Sequence, residues 1–108
     1  MNTQHSRILL IEDDLDAQAF LMRTLKVHYQ LKAVSDIPQA LAELKSNAAA
    51  YDLILTDVQL PGVSGLKLTQ ILREKGLSIP VIVMTAHGNL ENAVSAIKEG
   101  AFDYILKP

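Results

Sequence analysis

Four short apolar runs in this chain each end in polar side chains that could do chemistry. The runs and the polar residues that follow them are Ile8–Ile11 with Glu12, Asp13 and Asp14, Leu53–Thr56 with Asp57, Val81–Met84 with Thr85, and Tyr104–Leu106 with Lys107. Short continuous apolar runs between helical stretches are typical of parallel strands buried on both faces. Ligands bind outside the carboxyl ends of such strands. We therefore expect acids, a hydroxyl and an ammonium to converge on one spot, a mixture suited to a metal-assisted acyl phosphate.

The segments between these runs have the period of amphipathic helices. Apolar side chains recur at helical spacing from Leu15 to about Val27, and Asp14 is well placed to cap that helix. The other predicted elements are a strand at Tyr29–Val34, a helix from about Pro38 to Ser46, a helix from Leu66 to about Gly76, and a helix capped by Asn89 that ends at Gly100. Five strands that alternate with four helices, joined by right-handed crossovers, indicate a doubly wound parallel α/β sheet.

Composition bounds the class of protein. With 108 residues, 49% hydrophobic and 20% charged, the chain is expected to be one globular domain. A net charge of −2 provides no basic surface for nucleic acid. No apolar run approaches the roughly 20 residues that cross a bilayer, so we expect no membrane contact. The absence of cysteine excludes disulfide and thiol chemistry and is compatible with a cytoplasmic location.

Four motifs, taken in order, resemble the receiver domain of two-component response regulators. They are Glu12-Asp13, Tyr51–Gly65 (YDLILTDVQLPGVSG), Thr85-Ala86 and Lys107-Pro108. The stretch from Met84 onward is most similar to receivers fused to alternative-sigma-factor ATPase activators. The resemblance covers essentially the whole chain, so residues 1–108 are expected to form one receiver domain. It also implies the flavodoxin-like strand order 2-1-3-4-5.

The resemblance assigns a phosphoacceptor and a magnesium site. Asp57 is the expected acceptor, and a cation would relieve the repulsion between its carboxylate and a phosphoryl group. Mg²⁺ would bind directly to Asp13, Asp57 and the backbone carbonyl of Gln59, with Glu12 in the outer shell through water. Helix capping is the alternative role for these acids, and we favour it for Asp14 alone.

The resemblance also names groups that would meet the phosphoryl oxygens. Lys107 would pair with Asp57 and then with the phosphoryl group. Thr85 would donate its hydroxyl, aided by the backbone amides of Val58 and Ala86. A lysine is more often a solvated surface charge, but Lys107 directly follows an apolar strand, which favours an anionic partner.

Three further positions match the family's switch and tuning residues. Tyr104 would turn inward when Thr85 moves toward the phosphoryl group, although ordinary packing of a strand tyrosine is an alternative. Gln59 and His87 would tune the lifetime of the phosphate. Pro108 would follow a cis peptide bond that aims the preceding lysine inward.

Receivers usually continue past this point into a fifth helix, whereas this chain stops at Pro108. We therefore expect a fragment of a longer protein, truncated after the fifth strand. Our hypothesis is that apolar sheet surface is then left uncovered and favours self-association. A well-behaved monomer in sedimentation at high concentration would contradict it.

The resemblance implies a phosphorylation-dependent signalling switch that controls an output such as transcription. The domain would use Mg²⁺ to catalyse its own phosphorylation from the phosphohistidine of a sensor histidine kinase or histidine phosphotransfer protein, and would slowly hydrolyse the product. It would not turn over a small-molecule substrate, and an output domain would lie in the longer chain. The rival hypotheses are a receiver-like docking module that is never phosphorylated and, more distantly, a flavodoxin-like cofactor binder.

Overall fold

The computed structural model describes residues 6–86 and 90–107. Within them the strands are β1 (Arg7–Ile11), β2 (Gln30–Val34), β3 (Leu53–Asp57), β4 (Val81–Thr85) and β5 (Asp103–Leu106). The α-helices are α1 (Leu15–Leu25), α2 (Ile37–Asn47), α3 (Leu68–Glu74) and α4 (Leu90–Lys98). Short 3₁₀ turns at Ala48–Ala50 and Gly65–Lys67 precede β3 and α3. None of the described helices is long and apolar enough for a membrane span.

The strands form one parallel sheet in the order β2-β1-β3-β4-β5. The predicted fold class and strand order are confirmed. The register pairs Ile11 with Thr56 and Thr85 with Leu106, so the carboxyl ends of the strands lie along one edge. The residues that follow these ends are thereby brought together, as the sequence predicted.

Three helices cover one face of the sheet, which we call the three-helix face. Alternate strand residues such as Leu9, Ile54 and Val83 pack there with residues of α2, α3 and α4 in a single buried cluster. Complete removal of such side chains from water contributes about 1.5–3 kcal/mol each. This face therefore holds most of the hydrophobic core.

On the opposite face, α1 is the helix that packs on the sheet among the described residues. Ile8, Leu10, Leu55 and Met84 form a smaller buried cluster there, against Leu21, Met22 and Leu25 of α1. A groove of about 370 Å³ runs between α1 and β5 and is lined in part by the side chain of Ile105. Ile105 is 43% exposed. Apolar sheet surface is accordingly exposed on this face, and the self-association hypothesis remains a prediction.

Helix ends follow the expected local chemistry, with small shifts. Asp14 caps α1 by accepting a hydrogen bond from the Asp16 amide at 3.0 Å, which confirms its predicted role. The helix ends at Leu25 rather than near Val27, since residues 26–28 form a turn. Gly76 follows α3 with φ of +78°, a left-handed conformation that glycine adopts without steric cost.

Candidate functional site

The site is built around Asp57, the last residue of β3, which is 6% exposed. The ammonium of Lys107 donates to Asp57 Oδ2 at 2.8 Å. The same ammonium lies 3.0 Å from Oε1 of Glu12, whose side chain is fully buried. Lys107 follows β5, which is the outermost strand on its side of the sheet. Its side chain therefore reaches past the end of β4 to Asp57 and farther to Glu12, which follows β1.

Three carboxylates converge on this edge of the sheet. Oxygens of Glu12, Asp13 and Asp57 all lie within 4.8 Å of one another. Glu12 and Asp57 are buried, whereas Asp13 is exposed at the rim. An all-oxygen donor set that is open to solvent on one side is the kind of site that Mg²⁺ prefers, because this ion keeps several of its waters. The residues present are thus able to hold a divalent cation.

The site contains more acidic groups than basic ones, and the pKa values of Glu12 and Lys107 are both shifted in it. Burial raises the pKa of Glu12, and the nearby charge of Asp57 adds to that, although the Asp14 amide and Lys107 act in the opposite direction. Burial alone would lower the pKa of Lys107, but its hydrogen bonds to Asp57 and Glu12 raise it above its ordinary value. The lysine therefore remains a cation, and the acids outnumber it.

The loop after β3 presses closely against the acceptor strand. The amide of Gly65 donates to the Val58 carbonyl at 2.9 Å, and the Ser64 hydroxyl donates to the same oxygen at 3.1 Å. A Cβ added to Gly65 would sit well inside van der Waals contact of the Asp57 carbonyl oxygen. This close approach explains why the last position of the PG-x-x-G pattern is a glycine. At the turn itself, Gly62 has φ of +78°, a conformation that glycine adopts without steric cost.

The backbone amides after β3 differ from the expected arrangement. The amide of Val58, expected to face a phosphoryl group, donates instead to the Met84 carbonyl at 3.1 Å, because the β3–β4 ladder continues one residue past Asp57. The amide of Gln59 donates to Asp57 Oδ1 at 3.1 Å. In this conformation the Gln59 amide is directed at the Asp57 carboxylate, whereas the Val58 amide is engaged in the sheet.

Thr85, the last residue of β4, is 1% exposed. Among the described residues its hydroxyl has no hydrogen-bond partner. A buried polar group without a partner costs about 1–3 kcal/mol. Ala86, the next residue, is exposed, and Tyr104 in β5 is half-buried against the main core cluster. The Thr85 hydroxyl at the end of β4 thus has no hydrogen-bond partner among the described residues.

Some predicted positions lie outside the described residues. These are His87, Asn89 and Pro108, together with the predicted cis peptide bond at the last of them. Two features escaped the sequence reasoning, namely the contact between Lys107 and Glu12 and the side chain of Gln18, whose Nε2 donates to the Glu12 carbonyl at 3.0 Å. Nothing in the hydrophobic period marks a glutamine that bonds to a neighbouring loop.

Comparison with known proteins shows relatives along nearly the whole chain. Response regulator RppA of Synechocystis sp. is 42% identical over 103 residues, which are 94% of this chain and 44% of that protein. The DNA-binding transcriptional regulator NtrC of Proteus hauseri is 34% identical over 109 residues, 97% of this chain and 22% of that protein. The chain thus spans less than half the length of these curated relatives.

Solved structures agree with the sequence comparison. A response regulator receiver domain protein from Clostridium thermocellum has a TM-score of 0.87 and 30% identity, covering 95% of this chain and 82% of that one. The family described as response regulator receiver domain matches residues 8–108. The resemblance drawn from the four motifs is thereby confirmed, and the chain belongs to the response regulator receiver domain family.

Proposed function

We propose that this chain is a phosphoacceptor switch in which Asp57 receives a phosphoryl group from a phosphohistidine. The observation that carries the proposal is the convergence of the Glu12, Asp13 and Asp57 carboxylates with the Lys107 ammonium at one edge of the sheet. In the reaction a carboxylate oxygen of Asp57 attacks phosphorus, the P–N bond of the donor breaks, and the imidazole leaves. The product is an acyl phosphate that water later hydrolyses.

The acids and Lys107 would have different roles, since the acids would bind the metal ion and Lys107 would contact the phosphoryl group. Asp13, Asp57 and the carbonyl of Gln59 would hold Mg²⁺, which when bound neutralises the charge between the acceptor and the phosphoryl oxygens. Glu12 would act in the outer shell, in keeping with the protein contacts that already occupy both of its carboxylate oxygens. Lys107 would remain a cation throughout and transfer its hydrogen bond from Asp57 to a phosphoryl oxygen.

Other donors would bind the remaining phosphoryl oxygens. The amides of Val58 and Ala86 are the donors expected from the sequence, and that of Val58 would have to leave the Met84 carbonyl to take this role. Of the two amides after the acceptor, that of Gln59 is already directed at Asp57, so we add it to this set. The unpaired hydroxyl of Thr85 would acquire a partner in the phosphoryl group, and this gain is what would favour the phosphorylated conformation.

Phosphorylation would shift a population between two packings of the Thr85 and Tyr104 region. Tyr104 is half-buried against the core, so a turn inward would bury the part of its side chain that is now exposed. A phosphoryl group shifts such an equilibrium only through contacts that differ between the two states, and the new bond to Thr85 is one of them.

The proposed partners are inferred from the phosphohistidine that the reaction needs and from the greater length of the relatives. We propose a sensor histidine kinase or a histidine phosphotransfer protein as the donor, and an output domain of the kind that a longer regulator carries. We propose a cytoplasmic location and no direct contact of this domain with nucleic acid. The alternative, a docking module that is never phosphorylated, is an outcome of the following test.

The test is intact-mass spectrometry after incubation with acetyl phosphate and Mg²⁺. The wild-type chain should gain one phosphate that is labile at alkaline pH. Asp57→Asn should gain none. Asp52→Asn is the matched control, because Asp52 immediately precedes the same strand at its opposite end, and this variant should react as wild type does.

Failure of a folded wild-type chain to react would favour the docking module. Phosphorylation of the Asp57→Asn variant at another residue would mean that this other residue is the acceptor. Either result contradicts the proposal as stated.

A further inference from the structure

The side chain of Gln18 connects three elements beside the acid cluster. Gln18 lies in α1 and is half-buried. Its Nε2 donates to the carbonyl of Glu12 at 3.0 Å and approaches the carbonyl of Val34, the last residue of β2, at 3.4 Å. A single amide group therefore joins α1 to the residue after β1 and to the end of β2.

These contacts fix the backbone of Glu12 on both sides. Its amide donates to the Val34 carbonyl at 3.0 Å, and its own carbonyl accepts the hydrogen bond from Gln18. The fully buried side chain then extends from this held backbone to the Asp14 amide at 3.1 Å and to the Lys107 ammonium at 3.0 Å. A shift of the backbone at Glu12 would accordingly displace one of the three carboxylates, together with the Lys107 ammonium that Glu12 shares with Asp57.

We infer that Gln18 is a positioning residue for the divalent-cation site, an inference that rests on the proposed function. By holding Glu12, it sets the spacing of that carboxylate from Asp13 and Asp57. Glu12 would act on the ion through a bound water, and Mg²⁺ requires near-octahedral geometry, so a displacement of Glu12 would shift that water and weaken binding. Residues that orient groups around a metal without touching it typically change affinity by about 10- to 100-fold when they are removed.

The experiment is a Mg²⁺ titration of the folded chain, followed through the backbone amide signals of Glu12 and Asp57 by nuclear magnetic resonance. Gln18→Met keeps the length of the side chain and removes the donor. We expect the dissociation constant for Mg²⁺ to rise about tenfold. Gln18→His, studied at pH 8 where the ring is neutral, retains an N–H donor of similar reach and should recover most of the affinity.

The matched control is Gln39→Met. Gln39 in α2 holds the neighbouring loop in a comparable way, since its side-chain Oε1 accepts from the Ser35 amide at 3.0 Å, and its backbone amide donates to Asp36 Oδ1 at 2.9 Å. Among the described residues Gln39 makes no hydrogen bond with Glu12, so the Gln39→Met variant should lose thermal stability without losing Mg²⁺ affinity. Gln18→Leu serves as a second donor-free variant should Gln18→Met fail to fold.

The outcomes separate the inference from the proposed function. Absence of Mg²⁺ binding to the wild-type chain would overturn the metal part of the proposed function, and the inference with it. Normal wild-type binding with unchanged affinity in the folded donor-free variants would overturn the inference alone. Equal weakening by Gln39→Met would likewise overturn it, because the effect would then be a general loosening of the loops.

Discussion

A polar cluster lies at each end of β3, and the two clusters differ in how far charges and hydrogen-bonding groups find partners within the chain. At the carboxyl end, three carboxylates converge and two of them, Glu12 and Asp57, share one lysine, while the nearby hydroxyl of Thr85 has no partner among the described residues. At the amino end, the Tyr51 hydroxyl donates to Glu43, and the Arg7 guanidinium lies over the Tyr51 ring at 5.2 Å. Within residues 6–86 and 90–107 the Nε of Arg7 has no hydrogen-bond partner, and the attraction between the guanidinium and the ring partly offsets this loss.

The comparison separates a cluster that stabilises the fold from one that is organised for a ligand. In the amino-end cluster, acceptor and donor meet within the chain, and Asp52 also accepts from the Arg7 amide at 2.9 Å. In the carboxyl-end cluster, negative charge is in excess, so an added cation and a phosphoryl group would complete it. Substitutions at the two ends should therefore affect stability and reactivity differently.

The largest effect is expected at Gly65, which lies directly against the backbone of Asp57 in the carboxyl-end cluster. Gly65→Ala should destabilise the fold by about 3 kcal/mol and abolish phosphorylation, because the new methyl group overlaps the Asp57 carbonyl oxygen. Gly62→Ala has open space around it and strains only a φ of +78°, so it should cost about 1 kcal/mol and leave phosphorylation intact. Urea unfolding and intact-mass spectrometry check both variants. Equal losses of stability would contradict the steric explanation.

The next effect belongs to the amino-end cluster and appears at alkaline pH. Burial, and then the neighbouring Glu43 carboxylate, raise the pKa of Tyr51 to about 12. A raised pKa means that the folded state favours the neutral phenol, so this stabilisation is fully present below pH 10 and is lost as the pH rises through 12. The loss should be on the order of 2–3 kcal/mol.

Urea unfolding at several pH values between 9 and 12 measures this loss. Tyr51→Phe should show a shallower alkaline decline than wild type. Tyr29→Phe changes an exposed tyrosine and should keep the steep decline. A wild-type slope in Tyr51→Phe would assign the alkaline transition to other groups.

Two threonines near the carboxyl end should respond in opposite directions to the same change. Thr85→Val removes an unpaired buried hydroxyl and should raise the stability of the unphosphorylated chain by about 1 kcal/mol. Thr56→Val removes a hydroxyl that donates to the Asp57 carbonyl at 3.0 Å and should lower stability by about 1 kcal/mol. Chemical denaturation of both variants decides the sign, and a loss in Thr85→Val would show that its hydroxyl is already satisfied.

The smallest effects come from single aspartates. Asp57→Asn removes one charge from the crowded cluster while Lys107 keeps Glu12 as its partner, so stability should change by less than about 1 kcal/mol. Asp52→Asn weakens the charge-assisted hydrogen bond from the Arg7 amide and should cost about 0.5–1 kcal/mol. Thermal unfolding followed by circular dichroism compares the two. A large loss in Asp57→Asn alone would mean that the acceptor also stabilises the fold.

The sequence predicted the sheet and the place of the site because both depend on short-range patterns. Apolar runs define strands, and strict alternation with helices sends every carboxyl end to one edge. Asp57, Thr85 and Lys107 were therefore brought to that edge as expected, although Asp57 and Thr85 are the last residues of their strands rather than the first after them.

Contacts between side chains and distant loops could not be predicted in this way. Whether Lys107 reaches only Asp57 or also Glu12 depends on the distance from the end of β5 across the ends of β4 and β3. The bond from Gln18 to Glu12 depends on where α1 crosses the end of β1, and the engagement of the Val58 amide depends on how far the β3–β4 ladder continues. These are properties of the assembled sheet, which hydrophobic period and turn chemistry do not specify.

The reach of Lys107 across the sheet has a consequence for folding. Its two partners lie in the first loop and at the end of the third strand, whereas the lysine follows the last. Contacts between residues so far apart in sequence form late, because the entropy of closing the intervening loops must be overcome first. Until β5 docks, the acids lack their cation. Under the proposed function, the chain would react with a phosphoryl donor only after the whole sheet has assembled, and partly folded molecules would not react.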